Sequence, residues 1–284
     1  MNTTYERASK VMIIVDVMGG YGNQLFQICL ALFFKKHGNN PKLYAFKNHD
    51  YDDHNFYIVN EKNFGLKTYS LTGEKVLKKI KNYKKIEERF FTVIKEDKIN
   101  EIKNLDFKNN KLVTSFNGFW QDKYFVDEVY EEFYQGITKT KAVKNSLDLP
   151  VKNGSTMLHI RRGDHQDYLP LKYYTDSIAS ASADIKDFSL DIFTDDKEWV
   201  LSRDEFKMAD NVFGPSESFQ SGKETINTFS QMLNYENFII SNSTYSWWAA
   251  RIGEKSNSII YYPYPHWVGF QPDIYYDNWI KVKR

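Results

Sequence analysis

From residue 156 onward, short apolar runs alternate with segments in which apolar residues recur at helical spacing. The runs have the length of buried strands. One stripe between them, from Leu171 to Ile185, advances in steps of three and four residues, as an amphipathic helix does. Strands that alternate with helices form a parallel sheet with helices on both faces. This half of the chain is therefore predicted to be an α/β domain. Its candidate strands are TMLHI (156–160), FSLDIFT (188–194), NFIIS (237–241) and SIIYY (258–262).

The amino-terminal half begins with the same pattern. The apolar run VMIIVDV (11–17) is typical of a strand covered on both faces, and the turn MGGYGNQ (18–24) leads into an apolar helix. PKLYAF (41–46) follows as a second strand, so the order is strand, glycine turn, helix, strand, as in a Rossmann fold. Between residues 47 and 150 the pattern is weaker, and LVTSFNGFW (112–120) is the clearest strand there.

The segment SLDLPVKNGS (146–155) contains the proline, glycine and asparagine residues of a linker. We therefore expect two domains, residues 1–150 and residues 151–284. A chain of 284 residues is long enough for both domains to bury a core. Ligands of such sheets bind beyond the carboxyl ends of the strands. The main polar motifs of this sequence lie at such ends.

Composition excludes several classes of protein. The chain has 38 Lys and Arg residues and 37 Asp and Glu residues, so no net field attracts nucleic acid. Cys29 is the one cysteine, which excludes a disulfide within the chain and fits a reducing compartment such as the cytoplasm. No apolar run reaches the roughly eighteen residues of a membrane span. The basic segment 73–98 could contact the inner face of a membrane peripherally; the alternative is a solvated helix face, because acidic residues interrupt its charge.

The motif HIRRGDH, which begins at His159, places two arginines where a predicted strand gives way to a loop. Strand alternation puts His159 and Arg161 on one face and Arg162 on the other. The planar fork of a guanidinium suits phosphate, so Arg161 is a candidate for holding an anion. The alternative is a structural arginine–aspartate pair, such as Arg162 with Asp164, which would fix the turn at Gly163.

A second polar turn, SNST (241–244), ends another candidate strand and opens a helix. Ser243 or Thr244 can cap this helix, whose first N–H groups and positive dipole end favour phosphate. Asn242 lies in the same turn. Simple capping is the alternative. Because the carboxyl ends of parallel strands share one edge, this turn and Arg161 are predicted to lie together.

Two further motifs offer polar groups at strand ends. After FSLDIFT, Asp195 can accept the paired N–H donors of a guanine edge, or it can cap the next helix. In the MGGYGNQ turn, Gly20 and Gly22 let a ligand approach the backbone, while Asn23 and Gln24 offer amide groups. A tight structural turn is the alternative, since the third spaced glycine of a dinucleotide fingerprint is absent.

The segment HDYDDH (49–54) contains an acid–x–acid triplet flanked by histidines, which can bind a divalent metal. Such triplets also arise by chance in polar loops, and we expect no metal cofactor. The sequence has no HExxH, GxSxG or P-loop pattern, which argues against metalloproteases, serine hydrolases and P-loop nucleotidases.

Four motifs occur in one order along the chain: GGYGNQLFQ, HIRRGD, IFTDDKEWV and FIISNSTYSWWAA. Together they resemble the α-1,2-fucosyltransferases, a glycosyltransferase family that forms fucosyl-α-1,2-galactose linkages, and the resemblance extends from residue 19 to residue 250. It implies a GT-B-like α/β fold in which two Rossmann-like domains face a cleft. The implied donor is GDP-β-L-fucose, the acceptor is a galactoside, and the configuration at the anomeric carbon is inverted. The resemblance implies no metal.

The resemblance also implies roles for individual residues. The amino-terminal domain would face the acceptor, and the carboxy-terminal domain would hold the GDP-sugar. Arg161 would contact the pyrophosphate, His159 and Asp195 would lie near the nucleoside, and the turn 242–244 would contact phosphate or ribose.

Two positions depart from the family pattern. Tyr21 stands where the family commonly has leucine, and His165 stands where an aromatic residue is usual. Neither change removes a charged group, so the departures bear on which acceptor is used and not on the chemistry of the donor. The implied acceptors are a galactose-terminated oligosaccharide or a lipid-linked glycan, as in the biosynthesis of a lipopolysaccharide O-antigen.

The chemistry of glycosyl transfer fits the same residues. Breaking a glycosyl–phosphate bond leaves a negatively charged diphosphate, which Arg161 and a helix N-terminus can stabilise as the charge develops. The acceptor hydroxyl needs a general base, and Asp164 is the candidate because it adjoins the arginines. A transferase of another fucosyl linkage or of another nucleotide sugar is an alternative. An alternative of another class is a non-catalytic protein that binds a nucleotide sugar.

Overall fold

The computed structural model describes residues 12–46, 59–71, 91–104, 113–163, 167–214 and 222–284. Within these ranges the chain forms two compact units, one that ends at Gly136 and one that begins at Ile137. Each unit contains its own parallel sheet.

The first unit is built on a five-stranded sheet whose strands run in the order β3-β2-β1-β5-β4, all parallel. From β1 the chain first adds β2 and β3 on one side and later adds β5 and β4 on the other side. The strand order therefore reverses between β1 and β5. The strands are β1 (Met12–Val17), β2 (Lys42–Phe46), β3 (Thr68–Leu71), β4 (Phe91–Lys95) and β5 (Val113–Asn117). The helices are α1 (Tyr21–Lys36), α2 (Ile99–Lys103) and α3 (Lys123–Ile137), with 3₁₀ turns at Glu61–Phe64 and Glu96–Lys98.

Helix α1 is the centre of the first unit. Every residue from Tyr21 to Phe34 is buried except Asn23, as the apolar sequence of this segment predicts. Lys35 and Lys36 end the helix, where basic side chains complement the negative end of the helix dipole. The glycine turn before α1 is therefore held between a buried strand and a buried helix.

The second unit is built on a six-stranded parallel sheet in the order β11-β10-β9-β6-β7-β8. This is the strand order of a dinucleotide-binding Rossmann fold, and it reverses between β6 and β9. The strands are β6 (Ser155–Ile160), β7 (Ser189–Thr194), β8 (Asn211–Phe213), β9 (Asn237–Ile239), β10 (Ile260–Tyr264) and β11 (Ile280–Lys283). The helices are α4 (Lys141–Leu147), α5 (Leu171–Asp184), α6 (Lys197–Leu201), α7 (Gly222–Met232) and α8 (Thr244–Gly253), with a 3₁₀ turn at Asp204–Phe206.

The predicted helical stripe forms the core of the second unit. Tyr174, Ile178 and Ala181 of α5 are buried against Ile160 of β6 and Ile192 of β7. The alternation of strands and helices predicted for this half of the chain is thus confirmed, and both units are Rossmann-like α/β sheets.

The helical interpretation of the basic segment 73–98 is wrong at its described end, where Phe91–Lys95 form the strand β4 and Glu96–Lys98 form a 3₁₀ turn.

The boundary between the units differs in position from the predicted linker. The structure divides the chain at residues 136 and 137 rather than at residue 150. Helix α4 belongs with the second unit because it packs on α7, and the Ser146 hydroxyl donates a hydrogen bond to the Ser230 carbonyl. The proline and glycine residues of the segment 146–155 follow this helix and lead directly into β6.

No helix among the described residues is both long and apolar enough to cross a lipid bilayer.

Candidate active site

The polar motifs of the second unit meet where its strand order reverses. The loop that carries Arg161 follows β6, and the turn 241–243 follows β9 and leads into α8. Because β6 and β9 are adjacent and parallel, both segments emerge at the same edge of the sheet. Ligands of open α/β sheets bind at such a point. The predicted proximity of the two motifs is therefore observed.

Arg161 is paired with Asp195 at this edge. The register of β6 and β7 aligns Ile160 with Thr194, so the next residues of the two strands are neighbours. The Arg161 Nη1 donates to Asp195 Oδ2, and the Arg162 backbone N–H donates to Asp195 Oδ1 over 2.7 Å. The arginine side chain is 29% exposed, so its charge is held at the surface of the sheet edge and not in the core.

The electrostatics of Asp195 stabilise this arrangement. Burial raises the pKa of its carboxyl, but the charge of Arg161 and the N–H groups of Arg162 and Gly163 outweigh that effect and hold the pKa below its ordinary value. A methyl group on Gly163 would lie 3.0 Å from Asp195 Oδ2, so glycine allows this close approach. Asp195 is an anion that orients Arg161. Its predicted contact with guanine remains a prediction.

Arg162 lies on the opposite face, as strand alternation predicts, and its role is structural. Its guanidinium carbon lies 3.9 Å from the centre of the Trp199 ring and 4.6 Å from that of Tyr168. Its Nε donates to Asp196 Oδ2 over 3.4 Å. Asp196 also caps α6 by accepting from the Trp199 N–H over 3.0 Å. The cap of this helix is therefore Asp196 and not Asp195.

His159 lies beneath the arginine loop and is buried, with 6% of its surface exposed. Its Nδ1 lies 2.8 Å from the Ser241 Oγ. Burial lowers the pKa of His159 to about 4, with Asp195 raising it and Arg161 lowering it by smaller amounts. The imidazole is therefore neutral at neutral pH, and it can serve as a hydrogen-bonding support but not as a cation.

The turn after β9 caps α8. Ser243 is the N-cap residue, and its Oγ accepts from the Tyr245 N–H over 3.3 Å. Thr244 begins the helix. The Asn242 Nδ2 donates to the Asp167 carbonyl over 2.8 Å, which ties the turn to the loop that follows β6. Ser243 and Thr244 are half-buried, so the hydroxyls and the N-terminus of α8 lie near the surface of the sheet edge.

The glycine turn of the first unit is fixed by side-chain amides. The Gln24 Nε2 donates to the Gly19 carbonyl over 2.9 Å. Gln27 accepts from the Met18 N–H over 3.0 Å and donates to the Gly118 carbonyl over 2.8 Å, which joins the ends of β1 and β5. The Gln121 Nε2 donates to Asn23 Oδ1 over 3.0 Å. The tight structural turn that the sequence offered as an alternative is thus present.

The donor contacts expected of Gly20, Gly22, Asn23 and Gln24 remain predictions. Gly20 borders open space, since a methyl group placed on it would meet no atom within 4 Å. Gly22 lies within the first turn of α1 and is buried.

The sequence motifs did not include Asp16, which lies near the end of β1. The residue is 7% exposed, and its carboxyl accepts hydrogen bonds from Asn117 and Ser115 of β5. Burial raises the pKa of Asp16, and the two hydrogen bonds offset part of that effect. A single aspartate within an apolar strand sequence is the signal that could have identified it, because a buried charge needs partners.

Several predicted features lie outside the described residues. These are the candidate base Asp164, the departure His165, the segment HDYDDH and most of the basic segment 73–98. In the described ranges, no group of three histidine, cysteine or acidic side chains is close enough to hold a metal ion.

Two Rossmann-like α/β units with polar loops at their sheet edges place the chain in the GT-B fold class. Residues 23–283 match the profile of glycosyl transferase family 11, and the chain belongs to this family.

Two relatives from Escherichia coli align with almost the whole chain. The chain is 25% identical over 281 residues to an alpha-1,2-colitosyltransferase, which covers 89% of this chain and 92% of that protein. It is 24% identical over 305 residues to the O-antigen biosynthesis glycosyltransferase WbnK, which covers 93% of this chain and 98% of that protein.

Among solved structures, the fold is similar to that of the α-1,6-fucosyltransferase NodZ from Bradyrhizobium. A crystal of NodZ soaked with GDP-fucose superposes with a TM-score of 0.53 at 12% identity, covering 86% of this chain and 92% of that chain. This likeness establishes the fold.

Proposed function

We propose that the protein transfers L-fucose from GDP-β-L-fucose to the 2-hydroxyl of a terminal galactoside, with inversion at the anomeric carbon. The observation that carries the proposal is Arg161, which Asp195 holds at the strand-order reversal of the second sheet, beside the capped N-terminus of α8. Membership of glycosyl transferase family 11 and the named activity of the colitosyltransferase relative support it.

The proposed reaction uses this edge to stabilise the leaving group. The acceptor oxygen forms a bond to the anomeric carbon from one face, while the bond from that carbon to the diphosphate oxygen breaks on the other face. Negative charge develops on the diphosphate. A guanidinium carries five N–H donors, so Arg161 can hold Asp195 and an anion together. The first N–H groups of α8 add positive potential.

Neighbouring residues keep this charge in place. Asp195 orients the Arg161 fork, and neutral His159 supports the turn through Ser241 without adding a second charge. The proton of the acceptor hydroxyl passes to a general base. Asp164 remains our candidate for that base, with pairing to Arg162 as its alternative role.

Colitose is a second candidate for the transferred sugar. The relative that is 25% identical is named an alpha-1,2-colitosyltransferase, and colitose differs from fucose only by lacking the 3-hydroxyl. Arg161 and the α8 N-terminus would contact the diphosphate that both donors share. They therefore do not distinguish the two sugars.

The proposed acceptor is a galactose-terminated oligosaccharide or a lipid-linked glycan. The name of the WbnK relative connects that protein with O-antigen biosynthesis. We propose the same process here, in the cytoplasm or at the inner face of the membrane, without a metal cofactor and without a nucleic-acid partner.

The test is a donor panel measured by calorimetry, followed by product analysis. GDP-fucose or GDP-colitose should bind more tightly than UDP-glucose, and incubation with lactose should yield an α-1,2-linked product that NMR identifies from its anomeric coupling and linkage. A chelator should leave the rate unchanged. Binding without transfer or donor hydrolysis would instead support the non-catalytic alternative, and a different linkage would overturn the proposed regiochemistry.

A further inference from the structure

A second group of polar residues lies at the strand-order reversal of the first sheet, between β1 and β5. The register pairs Ile14 with Ser115, which aligns Asp16 with Asn117 on the same face. The Ser115 Oγ donates to Asp16 Oδ1 over 3.0 Å, and the Asn117 Nδ2 donates to Asp16 Oδ2 over 2.8 Å. The carboxylate thus sits beneath a half-buried amide at the carboxyl end of the sheet.

The carboxylate fixes which way the Asn117 amide faces. An ionised carboxylate only accepts hydrogen bonds, so the amide must turn its Nδ2 toward Asp16 and its Oδ1 away. No donor among the described residues reaches that Oδ1. The Asn117 Oδ1 is therefore an oriented hydrogen-bond acceptor for a ligand bound at the sheet edge.

The loop that follows Asn117 is held at three points. The Gly118 carbonyl accepts from Gln27, the Trp120 N–H donates to Glu96, and Gln121 is bonded to Asn23. Trp120 has a φ of 57°, in the left-handed region that non-glycine residues rarely adopt. Such conformations persist where the surrounding contacts enforce them, and they cluster at ligand sites.

This loop presents one aromatic side chain to the surface. Phe119 is 38% exposed, and the described residues provide no aromatic ring for it to pack against. A methyl group on Gly19 would lie 2.9 Å from Phe119 Cε1, so the ring covers the glycine turn. Gly20, the next residue, borders open space. The ring, the turn and the Asn117 acceptor therefore adjoin one another.

We propose that Asn117, Phe119 and the Gly19–Gly20 turn form a binding subsite for a hexopyranoside, with Asp16 as the positioning residue that orients the Asn117 amide. An aromatic ring supplies a flat apolar contact for the C–H face of a sugar, and a small number of oriented polar groups supply specificity. The inference rests on the proposed function where it identifies this sugar as the acceptor galactoside.

Charge favours a neutral sugar here over a diphosphate. The Asp16 carboxylate is buried and bonded directly to Asn117 of the subsite, so it repels anions. The anion-holding arginine of the second unit lies at the edge of the other sheet. A purine could also stack on Phe119, and that outcome is included in the test.

The first experiment measures binding without donor. Saturation-transfer NMR of methyl β-D-galactopyranoside should show transfer to the sugar with the wild type, and Phe119→Ala and Asn117→Ala should remove most of it. Met12→Ala is the matched control, because Met12 is 48% exposed at the opposite end of β1. Equal galactoside signals in the wild type and all three variants would overturn the subsite. Guanosine is measured in the same way. The subsite would also be overturned if guanosine gave a signal that Phe119→Ala and Asn117→Ala abolish while the galactoside gave none.

The second experiment measures transfer to lactose. Phe119→Ala should raise the KM for lactose by about tenfold while the KM for GDP-fucose stays within about twofold, because only acceptor binding is lost. If the wild type transfers sugar from no donor, the proposed function is wrong, and the NMR measurement still shows whether the subsite binds a galactoside. If Phe119→Ala transfers fucose with an unchanged KM for lactose, the proposed subsite is wrong and the proposed function still holds.

A charge exchange tests the role of Asp16. Asp16→Asn removes the anion that orients the amide, and Asn117→Asp places two carboxylates together, so each should raise the lactose KM by about tenfold. The double variant restores one donor and one carboxylate, with an acceptor oxygen facing outward, and should bring the KM back to within about threefold of wild type. A folded double variant that shows no recovery would refute the positioning role.

Discussion

Arg161 and Asp195 are neighbours because two parallel strands end in register, and this fixes a positive charge at the sheet edge. Arg161→Ala removes that charge from the developing diphosphate. We expect kcat/KM for GDP-fucose to fall by about 100-fold or more. Arg161→Lys keeps the charge but loses the planar fork, so GDP should bind about tenfold more weakly, as calorimetry would measure.

Arg203→Ala is the matched control for this prediction. Arg203 is exposed in the same unit, and its guanidinium carbon lies 5.2 Å from the centre of the Trp199 ring. Its loss should leave both GDP binding and transfer near wild-type values. Full activity in a folded Arg161→Ala variant would show that the pair with Asp195 is only structural.

His159 makes stability depend on pH. Its folded pKa of about 4 lies below the ordinary value of 6.5, so the unfolded chain binds a proton in this interval before the folded chain does. The stability that His159 contributes is therefore present above pH 6.5 and is lost as the pH falls toward 4, by up to about 3 kcal/mol.

This prediction is checked by urea unfolding of the wild type and of His159→Asn between pH 7.5 and pH 4.5. The wild type should lose more stability on acidification than the variant does. His37→Asn, which changes an exposed histidine at the end of α1, should follow the wild type. Parallel curves for His159→Asn and wild type would contradict the assignment.

At the scale of elements, Gln27 joins three pieces of the first unit. From within α1 it binds the Met18 N–H at the end of β1 and the Gly118 carbonyl after β5, and it is fully buried. Gln27→Met has a similar size but leaves both backbone groups without this partner, so the free energy of unfolding should fall by about 2–5 kcal/mol.

Gln135→Met provides the comparison, because Gln135 is exposed on α3 in the same unit and its Nε2 donates to Glu131 Oε1 of the same helix over 2.8 Å. Its stability should change by less than about 0.5 kcal/mol. Urea midpoints of the two variants measure the difference. Similar small losses in both would show that the amide bridge of Gln27 adds little.

The elements that the sequence predicts share one property, which is a buried apolar run or stripe. The strands β6 and β7 and the helices α1 and α5 are of this kind. Four strands were not predicted: β3, β4, β8 and β11. Of these, β8 has three residues, and β11 has four residues that alternate lysine with apolar residues at an exposed sheet edge, so neither presents a buried run.

The same reasoning explains which parts of the site were foreseen. The positions of Arg161 and the Ser243 cap follow from strand ends and helix starts, which are local signals. The pairing of Arg161 with Asp195 and of Asp16 with Asn117 depends on strand register between segments 34 and 101 residues apart, and periodicity does not encode register.

For the molecule as a whole, each unit has its own sheet and its own polar group at the strand-order reversal. One group contains the guanidinium of Arg161, which is paired with Asp195. The other contains the Asp16 carboxylate, which accepts hydrogen bonds from the uncharged side chains of Ser115 and Asn117 and has no basic partner among them. A nucleotide diphosphate and a neutral sugar should therefore bind to different units. The expectation that the glycine turn contacts the donor makes the opposite prediction for the first unit.

Hydrogen exchange with separate ligands decides between these two assignments. At about 100 times its Kd, a ligand stabilises the state that binds it by about 2.7 kcal/mol, which slows exchange where opening is coupled to binding. GDP should protect amides at the ends of β6 and β7 and at the start of α8, and lactose should protect residues 117–121. ADP at the same concentration is the nucleotide control. If GDP protects Gly20–Gln24 and lactose does not, the glycine turn contacts the donor, and the proposed acceptor subsite of the first sheet is wrong.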